Sequence, residues 1–153
     1  MNYVDSILEP DERVVYRTKP SWTLYAPAFV LAIIALAALI LGTNYPGFDL
    51  VGAVIAAVLA LGALVSFVRA WFRRHTTEIA VTDRRIIVKQ GFIRRHTIEM
   101  NMQKVESVDV DQTLIGRLLN YGNVTIRGTG STLETIRTID APLKLRTTVT
   151  ARG

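Results

Sequence analysis

From Ser21 to Phe48 the chain carries no charged residue, and after Asp49 none appears until Arg69. A helix needs roughly 20 apolar residues to cross about 30 Å of hydrocarbon. Trp22–Gly42 and Leu50–Phe72 both meet that length. The pattern predicts a two-helix membrane hairpin over residues 22–72, turning at Asn44-Tyr45-Pro46-Gly47. Interfacial aromatics stand where true spans carry them: Trp22 and Tyr25 at one end, Tyr45 and Phe48 at the turn, Trp71 and Phe72 at the close. Arg69 is placed to snorkel towards the headgroups. Ala35-Leu36-Ala37 resembles a signal cleavage site, but the apolar run exceeds a typical h-region and continues past it. A buried soluble helical pair would require a much larger core around it.

Past Trp71 the period changes to two. Thr76–Thr82 alternates at Ile79 and Val81, Asp83-Arg84 reads as a tight turn, and Arg85–Gln90 places Ile86 and Val88 on one face. Gln90-Gly91 breaks the run. Phe92–Met102 and Lys104–Val110 then resume it, with Ile98, Met100, Met102, Val108 and Val110 apolar. Such regular short runs predict half-buried antiparallel strands. A helical stripe follows, Leu114, Ile115, Leu118 and Leu119 within Gln112–Leu119, with Asp111 as its N-cap and Asn120 and Gly122 ending it. Strands Asn123–Arg127 and Thr132–Ile139 flank Gly128-Thr129-Gly130-Ser131. Asp140-Ala141-Pro142 marks a helix start, and Leu143–Gly153 is a weak helix former because of Thr147, Thr148, Val149 and Thr150. Arg13–Thr18 is a candidate short strand that would pair with this domain or lie along the interface. The expected division is an N-terminal segment 1–21, the hairpin 22–72 and a mainly β domain 73–153.

Charge orients the hairpin. Arg13, Arg17 and Lys19 precede the first run, Arg73 and Arg74 follow the second, and Thr43–Asp49 has no Lys or Arg. The positive-inside rule places both termini in the cytoplasm of a multi-pass inner-membrane protein. Residues 73–153 carry 14 Lys and Arg against 8 Asp and Glu, an excess of 6 that favours approach to an anionic leaflet. Arg73, Arg74, Arg84, Arg85, Lys89, Arg94 and Arg95 are the candidate lipid-headgroup contacts; the plainer reading is solubility and cross-strand pairing. Nucleic acid is not an expected partner, since only Phe92 and Tyr121 follow Phe72 as stacking platforms. Within the spans, small residues recur at four-residue spacing: Ala28 with Ala32, Ala38 with Gly42, and Gly52, Ala56 and Ala60. They permit close helix packing, within one hairpin or between subunits.

Several chemistries are excluded or unsupported. There is no cysteine, hence no disulfide, thiolate nucleophile or zinc–sulfur site. His75 and His96 have no acidic cluster beside them. The spans lack the internal acids, bases or amides of a transport path. Gly128-Thr129-Gly130-Ser131 lacks the Gly-Lys-Ser/Thr of a P-loop and reads as a hairpin turn. Glu99, Glu106, Asp109 and Asp111 read as a solvated or arginine-paired face. No catalytic, cofactor-binding or metal-binding residue is assigned, and no cofactor is expected.

Four stretches carry a resemblance. They are Leu8-Glu9-Pro10-Asp11-Glu12-Arg13-Val14-Val15-Tyr16 with Trp22; Thr76 to Ile87; Lys104-Val105-Glu106-Ser107-Val108-Asp109-Val110 with Gln112; and Leu114-Ile115-Gly116-Arg117-Leu118-Leu119 followed by Tyr121-Gly122-Asn123-Val124. In this order and spacing the chain resembles bacterial pleckstrin-homology-like (PH-like) domain membrane proteins, formerly a domain of unknown function. The resemblance implies a bent antiparallel sheet with a C-terminal helix, although Thr147–Gly153 departs from the expected apolar ending. It brings no catalytic residues. Eukaryotic domains of this fold bind phosphoinositides or proteins, and fold alone does not fix the ligand. Some bacterial domains of this type form rings, which implies a homo-oligomer. The expected function is a non-enzymatic, membrane-anchored PH-like scaffold or protein-interaction module that self-associates and engages other membrane proteins. The alternative is a sensor or binder of anionic lipid headgroups in the lipid bilayer.

Overall fold

A computed structural model of the chain describes residues 3–45, 47, 49–91, 96–129 and 132–151. It divides into two units, Trp22–Phe72 and Met1–Ser21 with Arg73–Gly153. The N-terminal segment belongs with the β unit, and of the two placements open to Arg13–Thr18 the chain takes the first, pairing as a strand with that domain. One short helix, α1 (Tyr3–Ile7), precedes strand β1 (Val14–Thr18).

The charge-free runs form α2 (Ala26–Asn44), preceded by a 3-10 turn at Trp22–Tyr25, and α3 (Asp49–Thr76). By length and composition both are able to cross a membrane. Their large side chains face outward; Ile33 is 68% exposed and Leu50 77%. What they bury is small: Ala28, Ala35 and Gly42 on α2, and Gly52, Ala56, Ala63 and Ala70 on α3. With half-buried Leu31, Ala38, Leu59 and Ser66 between them, these positions advance by alternating threes and fours. That is a heptad seam. At Gly52 the helices nearly touch, since a Cβ there would lie 2.5 Å from the Gly42 Cα and 3.1 Å from the Ala38 carbonyl oxygen. Of the expected packing residues, Ala28, Ala38, Gly42, Gly52 and Ala56 lie on this seam. Ala32 and Ala60 lie off it and are exposed, because a strict four-residue step drifts away from a 3.5-residue seam. Pro46 and Phe48, expected at the turn, lie outside the described residues.

The β unit holds two antiparallel sheets. The first has the order β1, β2 (Glu78–Thr82), β3 (Arg85–Gln90), β4 (His96–Asn101). The second has the order β5 (Val105–Asp111), β6 (Tyr121–Gly128), β7 (Thr132–Asp140). The bent sheet implied by the resemblance is realised as this pair. Past β1 the chain runs on beside β7: Lys19 accepts from the Asp140 amide at 3.1 Å, Pro20 bridges Ile139, and the Ser21 amide donates to the Thr138 carbonyl at 2.7 Å. Ile79, Val81, Ile86 and Val88 from the first sheet meet Val124, Ile126, Ile136 and Ile139 from the second, with Met100 and Met102.

Helix α5 (Pro142–Thr150) closes this core through Leu145 and Val149, which are 0% and 1% exposed. Two apolar residues four apart supply a buried face, and tertiary burial overrides the weak propensity of the threonines. The outer face of the first sheet is covered as well. Val4 packs with Ala80 and Ile87, and Ile7, Leu8 and Val14 flank them. This unpredicted helix explains why β2 is buried at four consecutive positions from Ile79 to Thr82.

The remaining helix corrects an expectation. α4 spans Leu114–Leu118, and its cap is Thr113, whose hydroxyl accepts from the Gly116 amide at 3.0 Å. Asp111 instead ends β5, opposite Asn123. The apolar stripe does not face the core. Leu114 and Leu118 are each 83% exposed and Ile115 63%.

Candidate functional site

Two of the resemblance stretches meet at Arg85. Its guanidinium donates to the Glu12 carboxylate from Nη2 at 2.7 Å and Nε at 3.0 Å. The Glu12 side chain is fully buried and also accepts from the Thr82 hydroxyl at 2.7 Å and the Glu9 amide at 2.9 Å. The Arg85 hydrogen bond holds the Glu12 carboxyl down at about 2, against burial, which acts in the opposite sense; the Glu9 amide and Thr82 add to the lowering. Arg85 further donates to Glu99 at 2.8 Å and to the Ile7 carbonyl at 3.0 Å, and Arg84 pairs with Glu9 at 3.0 Å. Arg13 and Asp83 exchange backbone and side-chain bonds beside them. Two members of the expected basic rim thus fasten the N-terminal segment across the first sheet.

The other rim residues are dispersed. Lys89 is half-buried in β3 opposite Thr97, and Arg74 is half-buried near the end of α3. Arg94 and Arg95 lie outside the described residues. Of the acidic positions, Glu99 serves Arg85 and Asp109 pairs with Arg127 at 3.1 Å. Among the described residues no three His, Asp or Glu side chains gather in a metal-holding arrangement.

Arg73 behaves differently. With Pro20, Thr77, Gln90, Thr135, Ile136 and Arg137 it lines a cleft of about 160 Å³. Arg73 lies in the last turn of α3 and Thr77 directly follows the helix. Gln90 ends β3. Arg137 reaches the cleft through a bulge in β7, where the pairing with β6 shifts register between Gly122 and Val124. Thr138 takes φ 58° there, a left-handed backbone that is strained for a β-branched residue. Its amide is held by the Asn123 side chain at 3.0 Å and its carbonyl by Ser21. The bulge puts two residues instead of one between buried Ile136 and buried Ile139. Bulges re-aim side chains in this way.

The lining residues bring two guanidinium groups, the Thr77 hydroxyl and the Gln90 amide together with apolar Ile136, while the Thr135 hydroxyl bonds that of Thr125 at 3.1 Å. Among the described residues neither Arg73 nor Arg137 forms an ion pair. Such a set suits an oxyanion with several acceptor oxygens. The carboxyl of Glu134, next to Thr135 in β7, is pushed up by burial, an effect that His96 partly offsets. Of these residues only Arg73 was legible beforehand. Arg137 sits in an alternating strand like any exposed cation, and no periodicity marks the bulge that carries it.

Residues 25–152 match the model of a family described as bacterial PH domain. No curated protein and no solved structure matches the chain.

Proposed function

Because the chain belongs to the bacterial PH-domain family, whose fold is that of a binding or scaffold module, we propose a membrane-anchored module that takes anionic phospholipid headgroups into the Arg73–Arg137 cleft. In this reading α2 and α3 span the bilayer, with both termini on the cytoplasmic side. The observation that carries it is a pair of cleft arginines with no carboxylate partner among the described residues, set beside hydroxyl and amide groups. Position supports it: Pro20 lies two residues before Trp22, and Arg73 directly follows Phe72. In sequence the cleft residues Pro20 and Arg73 thus stand next to both junctions with the apolar runs, where a spanning chain would meet headgroup phosphates. The module is read as non-enzymatic, in keeping with a family of binding-module fold.

A self-associating scaffold is the second reading. Ala32 and Ala60 favour it, exposed beside the seam and lining a shallow groove with Ala53 and Ala57. The intact protein in nanodiscs of phosphatidylcholine and phosphatidylglycerol separates the two by native mass spectrometry. Retained phosphatidylglycerol that disappears in R73E/R137E supports the headgroup site. Equal retention by the variant overturns it, and a discrete oligomer without anionic lipid favours the scaffold.

A further inference from the structure

The inner face of the first sheet changes character at one end. On β2 the alternating positions Ile79 and Val81 belong to the core, and on β3 so do Ile86 and Val88. One step further along each row the residue is polar: Thr77 just before β2 and Gln90 at the end of β3. The register pairs Ile79 with Val88 and Glu78 with Lys89, so its continuation sets Thr77 across from Gln90. Both line the arginine cleft, and every lining residue belongs to the β unit.

Thr77 is only 7% exposed. The other buried polar residues are Glu12, Thr18, Ser21 and Thr82, and each is engaged. Thr82 donates to Glu12 and accepts from the Arg84 and Arg85 amides, Thr18 donates to the Asp140 carbonyl, and Ser21 is bonded to Thr138. The Thr77 hydroxyl has no such bond among the described residues, and neither has the half-buried Gln90 side chain. A buried hydroxyl without a partner costs free energy, and folded chains satisfy such groups with protein, water or ligand. A valine at this position would continue the apolar row without that cost.

We infer that Thr77 and Gln90 read the head of a ligand whose phosphate is held by Arg73 and Arg137: the cleft selects a phosphate ester bearing hydroxyls on a small uncharged head. The inference rests on the reading of the cleft as an anion site. Guanidinium groups suit phosphate oxygens but distinguish poorly between esters of equal charge. A hydroxyl and a carboxamide each donate and accept, as headgroup hydroxyls do. An ester without hydroxyls would displace water from Thr77 and leave it unpaired, which is how a polar site rejects an apolar analogue. The cleft, at about 160 Å³, is smaller than the roughly 300–1,000 Å³ of ordinary ligand pockets, which favours a short polyol over a multiply phosphorylated ring. Phosphatidylglycerol and soluble glycerol phosphate share this chemistry.

The test is native mass spectrometry of the intact protein from phosphatidylcholine nanodiscs with equal amounts of phosphatidylglycerol and phosphatidylethanol. Both are singly anionic phosphodiesters, and only the first has head hydroxyls. The expected result is about tenfold greater retention of phosphatidylglycerol, the worth of a hydrogen bond left unmade at a buried group. Thr77→Val, which keeps the shape, should bring the ratio close to one, and Thr77→Ser should restore the preference. Equal retention by the native chain, with both lipids lost in R73E/R137E, overturns hydroxyl recognition and leaves the headgroup cleft standing. Retention of neither lipid, or equal retention that R73E/R137E does not change, overturns both. A preference that survives Thr77→Val overturns the role of Thr77. In discs of phosphatidylcholine alone, a glycerol 3-phosphate adduct that Thr77→Val abolishes supports the same recognition and assigns it to a soluble ester.

Discussion

Replacing Arg85 with Met keeps an extended side chain but leaves the Glu12 carboxylate buried with no cation against it. In the native chain that carboxyl is held at about 2 instead of its ordinary 4.5. At about 1.4 kcal/mol per pH unit, the difference is worth about 3 kcal/mol of stability at neutral pH. The folded value lies below the unfolded one. This stability is therefore fully present above pH 4.5 and is lost as pH falls through the folded value near 2. In R85M the largest cause of the lowering is gone, while burial still pushes the carboxyl up and the Glu9 amide and Thr82 hydroxyl still pull it down. The variant should lose about 3–5 kcal/mol at pH 7, a difference from the native chain that shrinks below pH 4.5 as the native pair's contribution fades. The assay is reversible unfolding of the β unit within the intact protein, followed by circular dichroism in detergent from pH 2 to 8. The double variant E12L/R85M should recover most of the stability, since it removes both charges and keeps an apolar side chain at each position. Parallel pH profiles for the native chain and R85M, or a loss below about 1 kcal/mol, would refute the claim that this pair fastens the N-terminal segment.

Two further substitutions probe the rest of the architecture. Gly52→Leu should force α2 and α3 apart at their closest approach and cost about 1–3 kcal/mol by overpacking. Ala60→Leu, off the seam, should be close to neutral, and thermal melts in detergent distinguish the two. Leu145→Ala removes a fully buried side chain from α5 and should cost about 2–5 kcal/mol, measured by denaturant unfolding. A loss below about 1 kcal/mol would mean that the C-terminal helix does not close the core.

The arginine pattern shows how sequence and structure divide the work. Clustering in the sequence singled out Arg84 and Arg85 together with Arg73, because adjacent cations on neighbouring strands look alike on paper. The fold gives them opposite roles. Arg85 is consumed by Glu12, seventy-three residues away in the chain, whereas Arg73 joins Arg137 in a cleft with hydroxyls and an amide. Separations of that kind leave no local trace. The same holds for α1, whose few apolar residues gain a reason to be helical only when Ala80 and Ile87 offer a surface to cover.

What the sequence alone determined was whatever depends on neighbours along the chain. Charge-free length specifies the two long helices, alternation specifies the strands, and turn residues such as Asp83-Arg84 and Gln90-Gly91 delimit them. The stretches quoted for the resemblance identified the family that the match over residues 25–152 shows. The tertiary structure decided which faces are buried. It turned the α4 stripe outward, turned the threonine-rich tail inward as α5, and replaced a four-residue spacing of small residues by a heptad seam. The physical reason is that amphipathic periodicity states that a face is apolar, but not what will cover it. That depends on the volume left by elements distant in sequence, and only the assembled sheets define it.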